Sequence, residues 1–436
     1  MGIYTSYKST WVDAQIASRV RLITGIILEN VPYVRSILLT GGFGKGEGSV
    51  KTTNDAEVIC LRDFDIVVIV DRIPKEKAVQ KLYNQIYRSL NLTNPEYMLF
   101  RFSNFVVDIK FLRKKDLIYP DIWFYDLKAA SQLLYGEDLR NLIPWSKEEI
   151  PLSSGLRILF EKATGLLGLF SYADCLKTEK PSEEKKELLI FECYKTFIEI
   201  CTALCILAGR YEPKYADRAR IFEKLYFNEF PELAKVLPDL PDRVAACTSF
   251  KLKPDFTEVD DDLVDLWFST RDYLGTVIRF YIKRYLGITT LNWRNLPRYT
   301  KNVARHYYKP FLKSLMYAKW GSSNRILLEI SSFLYQALTN IEYSYVVTRN
   351  VGRLYLQPLR RWYMAPSLKF FSAGIMTLLS INKDGTIEKE LFQKAVEELR
   401  ECIPVEISTI DSSRWDALRR HFLKAYSLCR GYHFVK

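Results

Sequence analysis

Ile37-Leu-Leu-Thr40-Gly41-Gly42-Phe43-Gly44-Lys45-Gly46-Glu47-Gly48, followed after a polar insert by Arg62-Asp63-Phe64-Asp65-Ile-Val-Val-Ile-Val70, is the stretch on which the reading of this chain turns. A short apolar run ends in a glycine-rich turn. A second run, almost entirely β-branched, opens with two aspartates two residues apart. Alternate side chains of a strand share a face, so Asp63 and Asp65 are expected to point the same way. Adjacent carboxylates repel unless a cation sits between them, and their oxygen donors suit Mg²⁺ or Mn²⁺. The glycines let backbone N–H groups approach an anion closely. A phosphate cradle beside paired metal ligands points to phosphoryl or nucleotidyl transfer.

The segment Gly41 to Glu47 resembles the Gly-Ser/Gly signature of the DNA polymerase β-like nucleotidyltransferase superfamily, and Asp63-Phe64-Asp65-Ile66 resembles its Asp-x-Asp. That family carries a third carboxylate on a later strand, and Asn104-Phe-Val-Val-Asp108-Ile-Lys-Phe-Leu112 supplies Asp108. The resemblance covers about the first third of the chain. It departs from the family pattern in two places. The second motif residue is often a serine whose hydroxyl contacts phosphate, and Gly42 has none. The gap from Gly42 to Asp63 is long, which leaves Asp55-Ala-Glu57 as a competing pair nearer the usual spacing. Asp55 and Glu57 precede only Val58-Ile59-Cys60-Leu61 before Arg62 and Asp63 interrupt. Asp63 and Asp65 precede a run fit for a buried central strand, which favours them. Alone, two aspartates at a strand start read as a polar turn; the glycine turn before them and Asp108 after them weigh against that.

Other phosphate-binding motifs fail on spacing. A Walker A loop needs a glycine five residues before the Gly-Lys pair and Ser or Thr after it, but Gly44-Lys45 has Leu39 and Gly46 in those places. The dinucleotide fingerprint needs a final glycine where Glu47 stands.

The chain has 436 residues, enough for two or three domains, and 48% hydrophobic with 14% aromatic content supports large cores rather than disorder. A net charge of +12 favours an anionic partner: a triphosphate, a nucleic acid, an acidic glycan or an anionic membrane surface. No N-terminal basic and apolar pattern of a signal peptide is read, and no uncharged apolar run is long enough to span a bilayer. The eight cysteines lack paired C-x-x-C spacing, so reduced thiols and a cytoplasmic location are expected. Cys193, Cys201 and Cys205 share one helical face but have no histidine nearby, so burial explains them better than zinc. The three histidines lie far from the motifs.

Taken in order, Trp11 to Val31 has helical periodicity through Val12, Ile16, Val20, Ile23 and Ile27. Ser36–Thr40 reads as a strand, Ser49–Glu57 as a loop, Leu61–Val70 as the aspartate-bearing strand, and Pro74 to Leu90 as a helix. Glu96–Phe102 and Phe105–Leu112 read as a β-hairpin turning at Ser103-Asn104. Asp121 to Leu134 reads as a helix stopped at Gly136. Beyond the prolines at 144 and 151 strand signals fade. Helices are expected over Gly155–Ser171, Ser182–Ala208, Tyr215–Leu225, Asp260–Leu286 and Asn324–Val347. The fold class is therefore α+β. A small mixed sheet forms a domain at 1–150, a helical domain closing the nucleotide cleft follows at 151–290, and a basic helical domain at 291–436.

The resemblance implies transfer of a nucleoside monophosphate from a nucleoside triphosphate, ATP by default, to an acceptor hydroxyl. Asp63, Asp65 and Asp108 are the implied catalytic and metal ligands for Mg²⁺ or Mn²⁺. Gly41, Gly42 and Lys45 would bind the nucleotide. In related enzymes a lysine from the helical domain reaches the triphosphate; Lys195, inside an otherwise apolar helix, is the candidate, against the plainer reading of a snorkelling surface lysine. From Trp293 to Trp320 cations alternate with rings (Arg298, Lys301, Arg305, Tyr307, Tyr308, Lys309, Lys313, Lys319). Such a pattern suits nucleic acid or lipid headgroups, although an ordinary solvated face is favoured. Three classes follow: an enzyme acting on a small molecule, glycan or protein hydroxyl, which is favoured; a terminal nucleotidyltransferase acting on RNA; and a non-catalytic nucleotide-binding module.

Overall fold

A computed structural model of the chain describes residues 2–7, 9–52, 58–91, 107–259, 262–321, 323–407 and 412–434. The protein is α+β, with a small mixed sheet near its N-terminus and a long helical region after it. It forms two compact units. The first comprises Met1–Pro151, Ala208–Ala234 and Pro238–Asp260; the second comprises Leu152–Leu207, Lys235–Leu237 and Asp261–Lys436. The first unit thus takes two pieces from the segment read as a separate helical domain at 151–290.

Among the described residues the first unit has six strands: β1 (Val34–Thr40), β2 (Val50–Thr52), β3 (Val58–Cys60), β4 (Phe64–Val70), β5 (Val107–Leu112) and β6 (Gln132–Gly136). Four form one sheet in the order β5-β4-β1-β6, and β2 and β3 form a separate antiparallel ribbon. β1 runs antiparallel to β4 and β6, while β4 and β5 are parallel. The β-branched run of β4 is explained by burial on both faces. Phe64, Ile66, Val68 and Val70 pack with Ile16, Ile23, Leu82 and Ile86 of the Thr10–Asn30 and Glu76–Ser89 helices. Val67 and Ile69 meet Leu38, Phe124 and Leu127 on the opposite side.

The Thr10–Asn30 helix starts where the Ser9 hydroxyl accepts from Val12 N. Val12, Ile16, Val20, Ile23 and Ile27, the periodic positions, are all buried. Each contributes about 1.5–3 kcal/mol by leaving water.

Three expectations are corrected. The helix read over Asp121 to Leu134 ends at Ala130, and Gln132–Gly136 is strand β6. Its residues have helical spacing, but the outer edge of β1 needs hydrogen-bond partners, and that tertiary demand prevails. The insert read as a loop over Ser49–Glu57 contains β2, and β3 follows directly after it. The aspartate strand begins at Phe64, so Asp63 immediately precedes it. Of the expected hairpin, the second strand is β5; the first strand and the turn lie outside the described residues, as do Asp55 and Glu57.

In the second unit, the helices Leu152–Leu169, Glu183–Leu207 and Leu263–Leu286 pack on one another. Phe170 stacks on Trp267 at 4.0 Å, and Trp267 Nε1 donates to Leu166 O. The Pro366–Leu379 helix is buried on nearly every side. All eight cysteines are buried and none is in a disulfide. No described helix is long and apolar enough to cross a membrane.

Candidate functional site

Strand register builds the site. Asp65 lies opposite Thr40 on β1 and, across the parallel β4–β5 pair, opposite Asp108. Residues in register on neighbouring strands point to the same side of a sheet, so residues 43 apart in sequence become neighbours. Asp63 stands one pleat before Asp65 and shares its side. One carboxylate oxygen from each of Asp63, Asp65 and Asp108 lies within 4.8 Å of those from the other two. Among the described residues this is the one group of three potential metal donors drawn so close. Asp63 and Asp65 are half-buried and Asp108 is exposed, so the cluster opens to solvent on the β5 side. Three hard anionic oxygen donors fit Mg²⁺ or Mn²⁺ and do not fit a soft metal.

The glycine turn is pressed against this cluster. Residues Gly41–Gly44 form one short helical turn directly after β1. Gly41 has φ +63°, and a Cβ built there would lie 1.8 Å from Asp65 Oδ2. Only glycine allows both that backbone conformation and that approach. Gly42 is less constrained. Its Cβ would meet Glu47 O at 3.3 Å and Lys251 Nζ at 3.5 Å, with an ordinary backbone conformation.

The two lysines expected at the nucleotide are placed differently. Lys45 is buried, and its Nζ forms an ion pair with Asp126 at 2.5 Å, 5.2 Å from the Tyr215 ring centre. Asp126 also accepts from the Tyr211 hydroxyl at 2.7 Å. Burial raises the Tyr211 pKa well above its ordinary value, and the neighbouring Asp126 carboxylate adds to the effect. Lys195 is half-buried on the Glu183–Leu207 helix, in the second unit.

Several supporting residues have no signal in the sequence. Glu47 is 2% exposed, and its carboxylate accepts from Tyr215 N at 2.6 Å and Ala216 N at 3.1 Å. It thereby caps the Tyr215–Glu229 helix, where a negative charge is favoured. Lys251 Nζ donates to Glu47 O at 2.7 Å and to Ser49 Oγ at 3.2 Å, and lies 4.3 Å from the Tyr215 ring centre. On the other side of the aspartates, the Tyr83 hydroxyl accepts from Ile109 N at 2.9 Å. It holds the outer edge of β5 next to Asp108. Burial pushes the Tyr83 pKa up, and the Asp108 carboxylate pushes it further. No protein-family model and no curated protein matches the chain.

Proposed function

We propose that the first unit is a metal-dependent nucleotidyltransferase, moving a nucleoside monophosphate from a nucleoside triphosphate to an acceptor hydroxyl with release of pyrophosphate. The observation that carries this reading is the convergence of Asp63, Asp65 and Asp108 beside Gly41. ATP is the default donor, and a small molecule, glycan or protein supplies the favoured acceptor. Asp63, Asp65 and Asp108 would hold a divalent ion, Mg²⁺ or Mn²⁺, which would supply charge neutralisation for the triphosphate and a lowered pKa for the acceptor hydroxyl.

The acceptor oxygen bonds to the α-phosphorus as the bond from that phosphorus to the bridging oxygen breaks. Pyrophosphate carries away the electron pair. Asp108, the exposed member of the cluster, would take the acceptor proton. Asp63 and Asp65 hold their carboxylates on the inner side. The turn at Gly41 and Gly42 brings backbone beside the aspartates without a side chain to keep phosphate away. Lys45, committed to Asp126, braces the far end of that turn. Most of the rate enhancement would come from positioning and electrostatics.

The test is release of pyrophosphate and labelling of cell-extract components from each α-labelled triphosphate, with and without Mg²⁺ or Mn²⁺. Asp63→Asn, Asp65→Asn and Asp108→Asn should each lower transfer by about a hundredfold or more, while folding is retained. Equal triphosphate binding in excess chelator, or turnover unchanged by all three substitutions, would overturn the proposal.

A further inference from the structure

The Arg325–Val351 helix of the second unit is turned inside out. Ser332, Gln336, Thr339, Asn340 and Ser344 are buried, with Tyr343 and Val347 the two apolar residues beside them, whereas Ile326, Ile330, Leu334, Leu338, Ile341 and Tyr345 are exposed. The rotation is fixed from within. Asn340 Nδ2 donates to the carbonyls of Trp362 and Met364, and Asn340 Oδ1 accepts from buried Lys369 Nζ at 2.9 Å. Turning the apolar side inward would strip these groups of their partners, at a cost of about 1–3 kcal/mol each. The exposed stripe recurs at helical spacing for most of a helix about 40 Å long. The Lys309–Trp320 helix before it adds exposed Leu315, Tyr317 and Trp320. Such an extent of apolar surface marks a contact site rather than scattered exposure.

We infer that this helical hairpin is a docking surface for an anionic lipid bilayer, which it enters to interfacial depth. The charge pattern selects that occupant. Between Asp272 and Asp384 the only acidic residues are Glu329 and Glu342, and Glu329 is paired with Lys309 at 2.5 Å. Exposed cations stand among the apolar groups. Lys319 Nζ lies 5.1 Å from the Trp320 ring centre, Lys313 Nζ lies 5.9 Å from that of Tyr317, and Arg325 adjoins Ile326. Bulky aliphatic groups, aromatic rings and lysine or arginine together are the composition of an interfacial helix surface. A second copy of the chain fits worse. In an antiparallel two-fold pairing Arg325 meets the Arg349 end of the other helix, and in a parallel one each cation meets itself. A bilayer with anionic headgroups meets the cations with opposite charge and takes up the apolar stripe. This inference does not depend on the chemistry of the first unit.

The experiment is co-sedimentation of the full chain with vesicles of phosphatidylcholine alone, or with about 30 mol % phosphatidylglycerol, at low and high salt. Sedimentation velocity without lipid is run alongside. The chain should pellet with the anionic vesicles, far less with the neutral ones, and be partly released by salt. Ile330→Glu with Leu334→Glu, both at exposed positions, should lower partitioning more than about tenfold with an unchanged far-UV spectrum. Lys313→Gln and Lys319→Gln should each lower it about fivefold. A chain that stays in the supernatant with anionic vesicles overturns the inference. So does a dimer that the glutamate substitutions split while vesicles are ignored, which would assign the face to a second copy.

Discussion

Replacing Gly41 by alanine puts a methyl carbon 1.8 Å from Asp65 Oδ2 and 2.8 Å from its Cγ, in a residue whose φ is +63°. The left-handed backbone costs an L-residue about 1–2 kcal/mol. An ordinary contact between carbon and oxygen needs about 3.3 Å, so the Asp65 carboxylate must withdraw by about 1.5 Å. A metal site tolerates only about 0.2 Å in its ligand distances. A 1 Å misplacement in an active site can cost about a hundredfold in rate. Gly41→Ala should therefore lower metal-dependent turnover by about a hundredfold or more, while the fold loses about 1–3 kcal/mol. Two other glycines separate the causes. Gly209 has the same φ of +63° and open space around its missing Cβ, so Gly209→Ala carries the backbone cost alone and should keep turnover. Gly42→Ala has Glu47 O at 3.3 Å as its tightest contact, with Lys251 Nζ at an ordinary 3.5 Å and no positive φ, and should lose no more than a few-fold. Urea denaturation gives the stability differences, and pyrophosphate release over a range of Mg²⁺ concentrations gives the activity. Gly41→Ala turning over at the wild-type rate, with unchanged Mg²⁺ dependence, would refute the placing of Asp65 at the reacting centre.

Lys45→Met leaves the half-buried Asp126 without its cation and should cost about 1–3 kcal/mol in urea denaturation; adding Asp126→Asn should restore most of that, and a double variant as unstable as the single would refute the ion pair as the cause. A pH effect is expected at Lys369, whose pKa burial lowers from 10.5 to about 8, with Cys402 and Glu401 opposing the shift. Below about 8 both folded and unfolded states carry the proton, and the penalty of burying the charge is felt in full. Between about 8 and 10.5 only the unfolded chain binds it, so stability should rise with pH relative to Lys369→Met. The gain is at most about 1.4 kcal/mol per pH unit. Denaturation curves of the two proteins that keep a constant separation from neutral pH to pH 9.5 or so would contradict this.

What the sequence disclosed was whatever repeats locally. The periodicity of Val12 to Ile27 and the uninterrupted β4 run report burial directly, because each is set by the face an element turns inward. The closeness of Asp63, Asp65 and Asp108 was legible for a related reason: both strands carry a local apolar pattern, and register does the rest. Strand β6 was hidden because Gln132–Gly136 is only an edge strand, with Leu133 and Tyr135 exposed, and so lacks a buried alternation. The inverted Arg325–Val351 helix was legible as a helix and not in its orientation. Its period is the same whichever side faces inward, and hydrophobicity alone would have turned it the other way.

The support of the glycine turn shows a different limit, that of long-range partners. Glu47 caps a helix that starts at Tyr215, and Lys251 returns from the Leu240–Leu252 helix to hold the Glu47 carbonyl. Ser49 Oγ in turn donates to Lys251 O at 2.7 Å. None of these partners falls within the first 150 residues, where the glycine and aspartate motifs lie. A fragment ending there retains Asp63, Asp65 and Asp108 but leaves the buried Glu47 carboxylate without the two backbone donors that satisfy it, the situation in which a buried charge is most destabilising. The catalytic unit proposed here is therefore the discontinuous one that includes 208–234 and 238–260. The turn beside Asp65 is held on one side by the sheet, through Thr40, and on the other by helices that return to it from more than 160 residues away.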